Sequence, residues 1–313
     1  MRVMVTGGAG FIGSTLVDRL LADGHDVDVV DDLSSGALAH LAAARALTRG
    51  RFTFHRLDIR STGLIELIAA RRPEMVMHLA AQVDVRTSVS RPVLDAEVNI
   101  LGSLNVCQGA VAAGTRKVVF AGSGGTLYGE SEDLPVREGH PQHPRSPYGV
   151  AKKAVGDYLH YYREVQGLDS TVLALANVYG PRQNPHGEAG VVAIFAGRML
   201  ARERATVFGD GSQTRDFVYV DDAVDAFVKA IDAGGGLTCN IGTGVETSVQ
   251  SLHDTMARLA GVSEPPRYAP ARPGELARSV LDPGRAATHL GWMPETDLES
   301  GLARTLAWFR DHT

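Results

Sequence analysis

Cysteine is scarce in this 313-residue chain: Cys107 and Cys239 are the only two, and neither has another Cys or a His at ligand spacing. That count supports neither a disulfide framework nor a zinc site, and it suits a reducing cytoplasm. His140 and His143 in "GHPQHP" have no further ligand nearby, so they read as a surface loop and no metal is expected. Long apolar runs are missing too. None approaches the roughly 20 residues of a bilayer-spanning helix, and no leader precedes the first predicted strand at Arg2, so neither membrane nor export is expected. A long Lys/Arg run is also absent. With a net charge of −5 and 21% charged residues, the chain carries no footprint for nucleic acid or an anionic surface. A phosphorylated ligand would need individually placed arginines.

What is present is a pattern. Up to about residue 120, short β-branched or apolar runs ("RVMVTG", "DVDVVDD", "FTFHRLDI", "EMVMHLAA", "KVVFAGS") alternate with amphipathic stretches such as "STLVDRLLADG" and "GLIELIAARR". Alternation at this interval argues for βαβ units on a parallel sheet, and the lack of strict polar alternation fits strands buried on both faces. "ALAHLAAARALTRG" reads as a surface helix. After about residue 175 the chain turns to Pro/Gly-rich loops and short elements, with "DDAVDAFVKAI" and "LTCNIGTG" able to rejoin the sheet. Interleaved domains follow: 1–175, with returns near 216–242, and a second made of 176–215 and 243–313.

Gly7, Gly10 and Gly13 in "VMVTGGAGFIGSTL" fall at the turn between the first strand and the first helix. Glycine allows a tight turn and a close backbone approach, and the helix N-terminus offers N–H groups and partial positive charge to a pyrophosphate. Asp31 ends the second strand 18 residues after Gly13, near the interval at which an acid holds an adenosine ribose. A carboxylate there repels a 2′-phosphate, which favours NAD over NADP. Asp58 and Ile59 after the third strand, and "HLAAQ" (78–82) after the fourth, lie at strand C-terminal ends, where open α/β sheets bind ligands. His78 reads as a core or loop histidine.

"SPYGVAKKAVGDYLHYY" supplies a candidate base. Pro147 suits a helix start, and at about 100° per residue Lys152, Val155 and Leu159 lie within roughly 40° of Tyr148. Lys153 and Asp157 fall near the opposite side, as a solvated i,i+4 pair. Lys152 shares the tyrosine's face. A cation there, with a positive nicotinamide ring, would stabilise the phenolate and make a site able to oxidise a carbinol.

The GxxGxxG spacing and the Tyr-x-x-x-Lys pair resemble the short-chain dehydrogenase/reductase superfamily. "NVYGPRQNPHGEAGVV", "FGDGSQTRDFVYVDD", "ARPGELARSVLDPGRA" and "LGWMPETDLESGLARTLAWF" extend the resemblance from residue 1 to 310, most closely to bacterial UDP-glucose 4-epimerases. It implies an α/β fold: a Rossmann-type doubly wound parallel sheet with a smaller interleaved α/β substrate domain. It implies bound NAD and a cofactor-contacting set of Gly7, Gly10, Phe11, Ile12, Gly13, Asp31, Asp32, Leu33, Ser35, Gly36, Asp58, Ile59, Leu79, Ala80, Ala81, Gln82, Asn99, Tyr148 and Lys152. The family's upstream hydroxyl falls on Ser123 when counted from Phe120 and on Gly124 when counted back from Tyr128. Ser123 is preferred, with Thr126 as a second hydroxyl.

By the same resemblance Asn177 holds the diphosphate or sugar, Arg215 and Arg272 clamp the diphosphate, and Glu275 holds the uridine ribose. Backbone around Val192 and Phe208 contacts sugar and uracil. Ala174 departs from the family, which often has arginine before "NVYG". The implied reaction oxidises the sugar 4-hydroxyl, turns the 4-keto sugar over and reduces it from the other face, with a UDP-sugar as partner and a homodimer as the usual assembly.

Relatives with other reactions make specific demands. A nucleotide-sugar 4,6-dehydratase typically has Asp-Glu after the hydroxyl residue, where this chain has Gly124 and Gly125. A glucuronate-specific epimerase or decarboxylase needs a cation for the sugar carboxylate; Asn184 occupies one candidate place, and Arg182 keeps the option open. Small Ser279 leaves room for an acetamido group. A non-catalytic NAD-sensing regulator on the same fold would often lack the tyrosine or the lysine, and both are here.

Overall fold

Val3, Val5, Val27, Val29, Met75, Met77 and Val119 point to one face of a parallel sheet, while Met4, Val30, Val76, Val118 and Phe120 point to the other. Both faces are covered, which is why the strand sequences show no polar alternation. The computed structural model describes residues 1–46, 50–185, 190–272 and 275–312. Its strands are β1 (Arg2–Thr6), β2 (Asp26–Asp31), β3 (Phe52–Arg56), β4 (Met75–His78), β5 (Lys117–Ser123), β6 (Asp169–Leu175) and β7 (Thr238–Ile241). They lie in the order β3-β2-β1-β4-β5-β6-β7, with every neighbouring pair parallel.

Five helices carry most of the covering: α1 (Phe11–Ala22), α2 (Gly63–Arg71), α3 (Gly102–Ala113), α4 (Pro147–Gln166) and α5 (Val220–Lys229). The first face packs against Leu16, Val17 and Leu20 of α1 and Val224 and Phe227 of α5. The second packs against Leu64 and Ile68 of α2, Val106 and Ala110 of α3, and Val155 and Leu159 of α4. Each fully buried Val or Leu contributes about 1.5–3 kcal/mol, so the helical stripes hold the layers together. This is the expected doubly wound arrangement. Its order reverses between β1 and β4, where Thr6 lies opposite both Val30 and His78, and a crevice opens beyond the strand ends.

Small elements stand at those strand ends. Asn177–Tyr179 pairs with Phe217–Tyr219, Thr206–Phe208 with Arg267–Ala269, and Thr214–Arg215 with Thr247–Ser248. Asp216 joins them: its buried carboxylate accepts from Thr243 N (2.8 Å) and Oγ1 (2.6 Å), Gly244 N (3.2 Å) and Leu281 N (3.2 Å). "ALAHLAAARALTRG" departs from expectation. It begins as a short 3-10 turn (Leu38–Leu41) and a helix (Ala42–Ala46), with Leu41 and Ala44 buried, because the packing places them against the first core; residues 47–49 lie outside the described residues.

Candidate active site

Gly7 carries φ +72, and a Cβ there would press on the Ala80 backbone nitrogen; a Cβ at Gly13 would collide with the Gly7 carbonyl oxygen. The turn after β1 thus brings its backbone against the loop after β4. Gly10 caps α1 without a side-chain hydrogen bond, so the first-turn N–H groups remain for an anion beside Phe11 and Ile12. Leu79, Ala80, Ala81 and Gln82 are partly exposed across the same crevice. These features fit a dinucleotide pyrophosphate.

At the ends of β2 and β3 the acids have structural tasks. Asp31 is 8% exposed and accepts from Ala9 N (2.9 Å) and Leu33 N (2.8 Å), bracing two loops, and burial raises its pKa. Asp32 accepts from Ser34 N (2.8 Å) and Oγ (2.6 Å), shaping the turn through Leu33, Ser35 and Gly36. Asp58 is held by Arg60, whose Nε lies 2.9 Å from Oδ2, and this bond keeps the carboxyl below its ordinary range. Arg60 escaped notice in the sequence because it lies in an irregular turn. Ile59 is buried behind these groups.

Tyr148 is the second residue of α4, whose N-cap Ser146 accepts from Gly149 N at 3.1 Å. Burial pushes the Tyr148 pKa up to about 12, and the neighbouring Ser123 side chain draws it down. Gly124 begins the short helix Gly124–Leu127, and a Cβ there would run into Leu281 and the Ala174 carbonyl. Thr126 Oγ1 donates to the Ser123 carbonyl at 3.3 Å, so its proton is engaged locally.

Lys152 is 4% exposed, as helical phase predicts. Its ammonium donates to the Ala121 carbonyl (2.9 Å) and lies 4.6 Å from the Phe120 ring centre and 5.7 Å from that of Tyr148. Burial pushes its pKa down to about 7. Lys153 departs from expectation: it is half-buried and makes no ion pair with Asp157 among the described residues. Both residues line the groove beside α4, Lys153 half-buried and Asp157 exposed.

His78, expected in the core or a loop, is 1% exposed and stays neutral, its pKa pushed down to about 3 first by burial and then by Lys152. Ser103 Oγ donates to the Asn99 carbonyl (2.6 Å), so it accepts from His78 Nε2 (2.8 Å); Nδ1 then accepts from Thr6 Oγ1 (2.7 Å). The chain of bonds ties β1 and β4 to Asn99. Asn99 sits in a π turn (Glu97–Leu101), and its side chain exchanges bonds with the Gln82 backbone at 2.9 Å in each direction. Asp95 completes the cluster, accepting from Gln82 Nε2 (3.0 Å) and Asn99 Nδ2 (2.9 Å).

On another wall, a Cβ at Gly125 would make ordinary contact with Asn177 Oδ1 (3.8 Å) and Ser279 Oγ (3.9 Å), so these three stand side by side. Arg272 stacks its guanidinium 3.9 Å from the Phe208 ring centre, and its buried Nε has no partner. Such an orphan donor fits an anion. Arg215 is already engaged: it donates to the carbonyls of Thr214 (2.7 Å) and Leu276 (2.9 Å) and to Glu275 (2.9 Å). The two residues expected on diphosphate and ribose therefore meet as an ion pair. Val192 is buried at the start of the helix Val191–Leu200. Ala174 packs with Leu127, Tyr128, Val136 and Leu281, and an arginine would not fit that apolar cluster. Arg182 is held by Asp18 of α1 at 2.6 Å, so the cation considered for a sugar carboxylate is tied to the sheet half.

Residues 3–242 match the family described as "Epimerase: NAD dependent epimerase/dehydratase family". The UDP-glucose 4-epimerase of Mycolicibacterium smegmatis is 51% identical over 312 residues, 99% of each chain. The structure of the Thermotoga maritima UDP-glucose 4-epimerase with UDP-glucose has a TM-score of 0.95 and 44% identity, covering 100% of this chain and 99% of that one. The Thermus thermophilus UDP-glucose 4-epimerase in complex with NAD has a TM-score of 0.93 and 41% identity, covering 100% of both chains. With a GxxGxxG turn at the switch point and a Ser123–Tyr148–Lys152 cluster across from it, this chain belongs to the NAD dependent epimerase/dehydratase family.

Proposed function

We propose that this protein is an NAD-dependent UDP-glucose 4-epimerase that interconverts UDP-galactose and UDP-glucose. The observation that carries the reading is buried Lys152 with its ammonium 5.7 Å from the Tyr148 ring centre, Ser123 being the neighbour that lowers the tyrosine's pKa, next to two glycines at the places where a dehydratase typically has an acid and a base. NAD, when bound, supplies the hydride acceptor for C4, returns the hydride to the opposite face, and brings a positively charged ring. Its holding groups are the Gly7–Gly13 turn, Asp31 and Asp32, the loop from Leu79 to Gln82, and Asn99.

The chain's own residues do the rest. Tyr148 takes the proton of the sugar 4-hydroxyl and later gives it back, while Ser123 orients that oxygen. Lys152 stabilises the phenolate across the shared helix face. Arg272 meets the diphosphate with its free Nε, Arg215 meets it from the Glu275 pair, and Asn177 faces the sugar. With the nucleotide held, the sugar can turn about its phosphate linkage and present either face. Residues 1–175 with 216–242 carry the cofactor, and 176–215 with 243–313 carry the nucleotide sugar.

Small Ser279, beside Gly125 and Asn177, favours the alternative substrate, a UDP-N-acetylhexosamine, in the same site. Two buried free thiols suit the cytoplasm, and no helix among the described residues is long and apolar enough to cross a membrane. A homodimer is supported by apolar side chains left open on α4 and the helix before α3. Val150 is 51% exposed, Tyr161 47% and Val93 70%. The function is tested by NMR with UDP-galactose, UDP-N-acetylglucosamine and UDP-glucuronate offered separately. UDP-galactose should equilibrate with UDP-glucose and UDP-glucuronate should remain unchanged; turnover of UDP-glucuronate alone would overturn the assignment.

A further inference from the structure

Arg182 is an arginine where the backbone would suit a glycine: its φ is +69. A side chain kept in the left-handed region is strained, so the surrounding structure has to hold it there. The guanidinium supplies that hold. Nη2 donates to Asp18 Oδ2 of α1 at 2.6 Å, the two side chains being 20% and 23% exposed, and neither makes another ion pair among the described residues. Asp18 Oδ1 and Arg182 Nη1 are buried on either side of that bond with no partner among the described residues, so losing one residue strands the charge of the other. The turn that carries Arg182 is also pressed on α5, since a Cβ at Gly180 would come 2.6 Å from Val220 Cγ1.

The next residue reaches the other way. Gln183 Nε2 donates to the Val178 carbonyl at 3.1 Å, one residue from Asn177, and a Cβ at Gly190 would come 2.5 Å from the same nitrogen. Gly190 is the N-cap of the helix Val191–Leu200, which carries Val192. Gln183 therefore touches both flanks of the wall that bears Asn177 and Val192, and Arg182 beside it is tied to the helix that starts at the Gly7–Gly13 turn. We propose that Arg182 and Asp18 are a positioning pair for the epimerase reaction: their ion pair sets the nucleotide-sugar wall, through Gln183, against the cofactor helix α1. The inference rests on the functional reading above. Asp18 lies about two turns beyond the start of α1, so it acts through the helix and the loop. Each half keeps its own ligand groups, the glycine turn for the dinucleotide and Arg272 with Arg215 for the diphosphate. What the pair governs is their relative placement, so its effect belongs on hydride transfer, which needs C4 and the nicotinamide in register.

Arg182→Gly removes the guanidinium while suiting the left-handed backbone, and Asp18→Ala removes the other partner. Both should lower kcat for UDP-galactose about tenfold to a hundredfold. Calorimetry of UDP on the NAD-loaded variants should give a Kd within about threefold of that of the unaltered protein, because the diphosphate groups are untouched. The double variant should be no slower than the slower single one, since each change removes the same contact. An unchanged kcat in either single variant, a UDP Kd that weakens in step with kcat, or rate losses that multiply in the double variant would overturn the inference.

The functional reading fails separately, when the unaltered protein does not epimerise. The placement is then read without turnover, by hydrogen–deuterium exchange in Asp18→Ala, which leaves the loop's own sequence intact. Amides of residues 178–183 and 190–194 should exchange about tenfold faster than in the unaltered protein, with those of β1 unchanged; equal exchange in the loop contradicts the proposal. If Asp18→Ala does not fold, Asp18→Ser removes the same charge and is measured in its place with the same two outcomes.

Discussion

Arg272 is the residue whose geometry most directly anticipates a ligand. Its guanidinium is fixed flat on Phe208 while one buried N–H has no partner, an arrangement that costs free energy until an acceptor arrives. Arg272→Met keeps much of the stacking volume and removes the charge. KM for UDP-galactose should rise about tenfold to a hundredfold with a smaller effect on kcat, as for a lost charge-assisted contact to phosphate; steady-state kinetics would check this, and an unchanged KM would place the diphosphate elsewhere. Tyr148 and Lys152 were legible in the sequence because a helix repeats every 3.6 residues and puts i and i+4 on one face. Asp95 was not. Its part beside Gln82 and Asn99 depends on a turn, a π turn and a strand end converging, and no local spacing encodes that meeting. Likewise the Arg215–Glu275 pair joins residues 60 apart, so each looked like an independent ligand contact.

Among the elements, α4 was the most completely legible. Ser146 as N-cap, Pro147 at the first position and Gly167 in a left-handed C-cap mark its ends in the chain itself. What the helical period could not supply was the destination of the face opposite Tyr148 and Lys152. Lys153 meets a groove there instead of open water, and Val150, Tyr158 and Tyr161 lie bare. Bare apolar side chains on α4, together with Val93 and Leu101 on the segment before α3, form a face suited to a second copy of the chain. A double substitution, Val150→Glu with Tyr161→Glu, places two charges on that face. Sedimentation velocity should then show a monomer where the unaltered protein is expected to sediment as the proposed dimer, and two species of equal mass would contradict that interface.

At the scale of the whole molecule, the strand pattern was legible because buried parallel strands announce themselves as apolar runs separated by helical stretches. The order reversal between β1 and β4 places the Gly7 turn, the Ala80 loop and Ser123 at one sheet edge. The later half was less legible, since its strands are two or three residues long and are held by Asp216 and short pairings too local to leave a period. Its contribution is a wall that carries the Arg272 guanidinium and the Asn177 and Ser279 side chains. The reaction these two halves support is an oxidation undone within the same site. That claim is tested most directly with UDP-galactose carrying deuterium at C4. The account predicts UDP-glucose with the deuterium still at C4 and no accumulated reduced cofactor, and a Tyr148→Phe protein slower by about a hundredfold or more. UDP-glucose with hydrogen from solvent at C4 would contradict it.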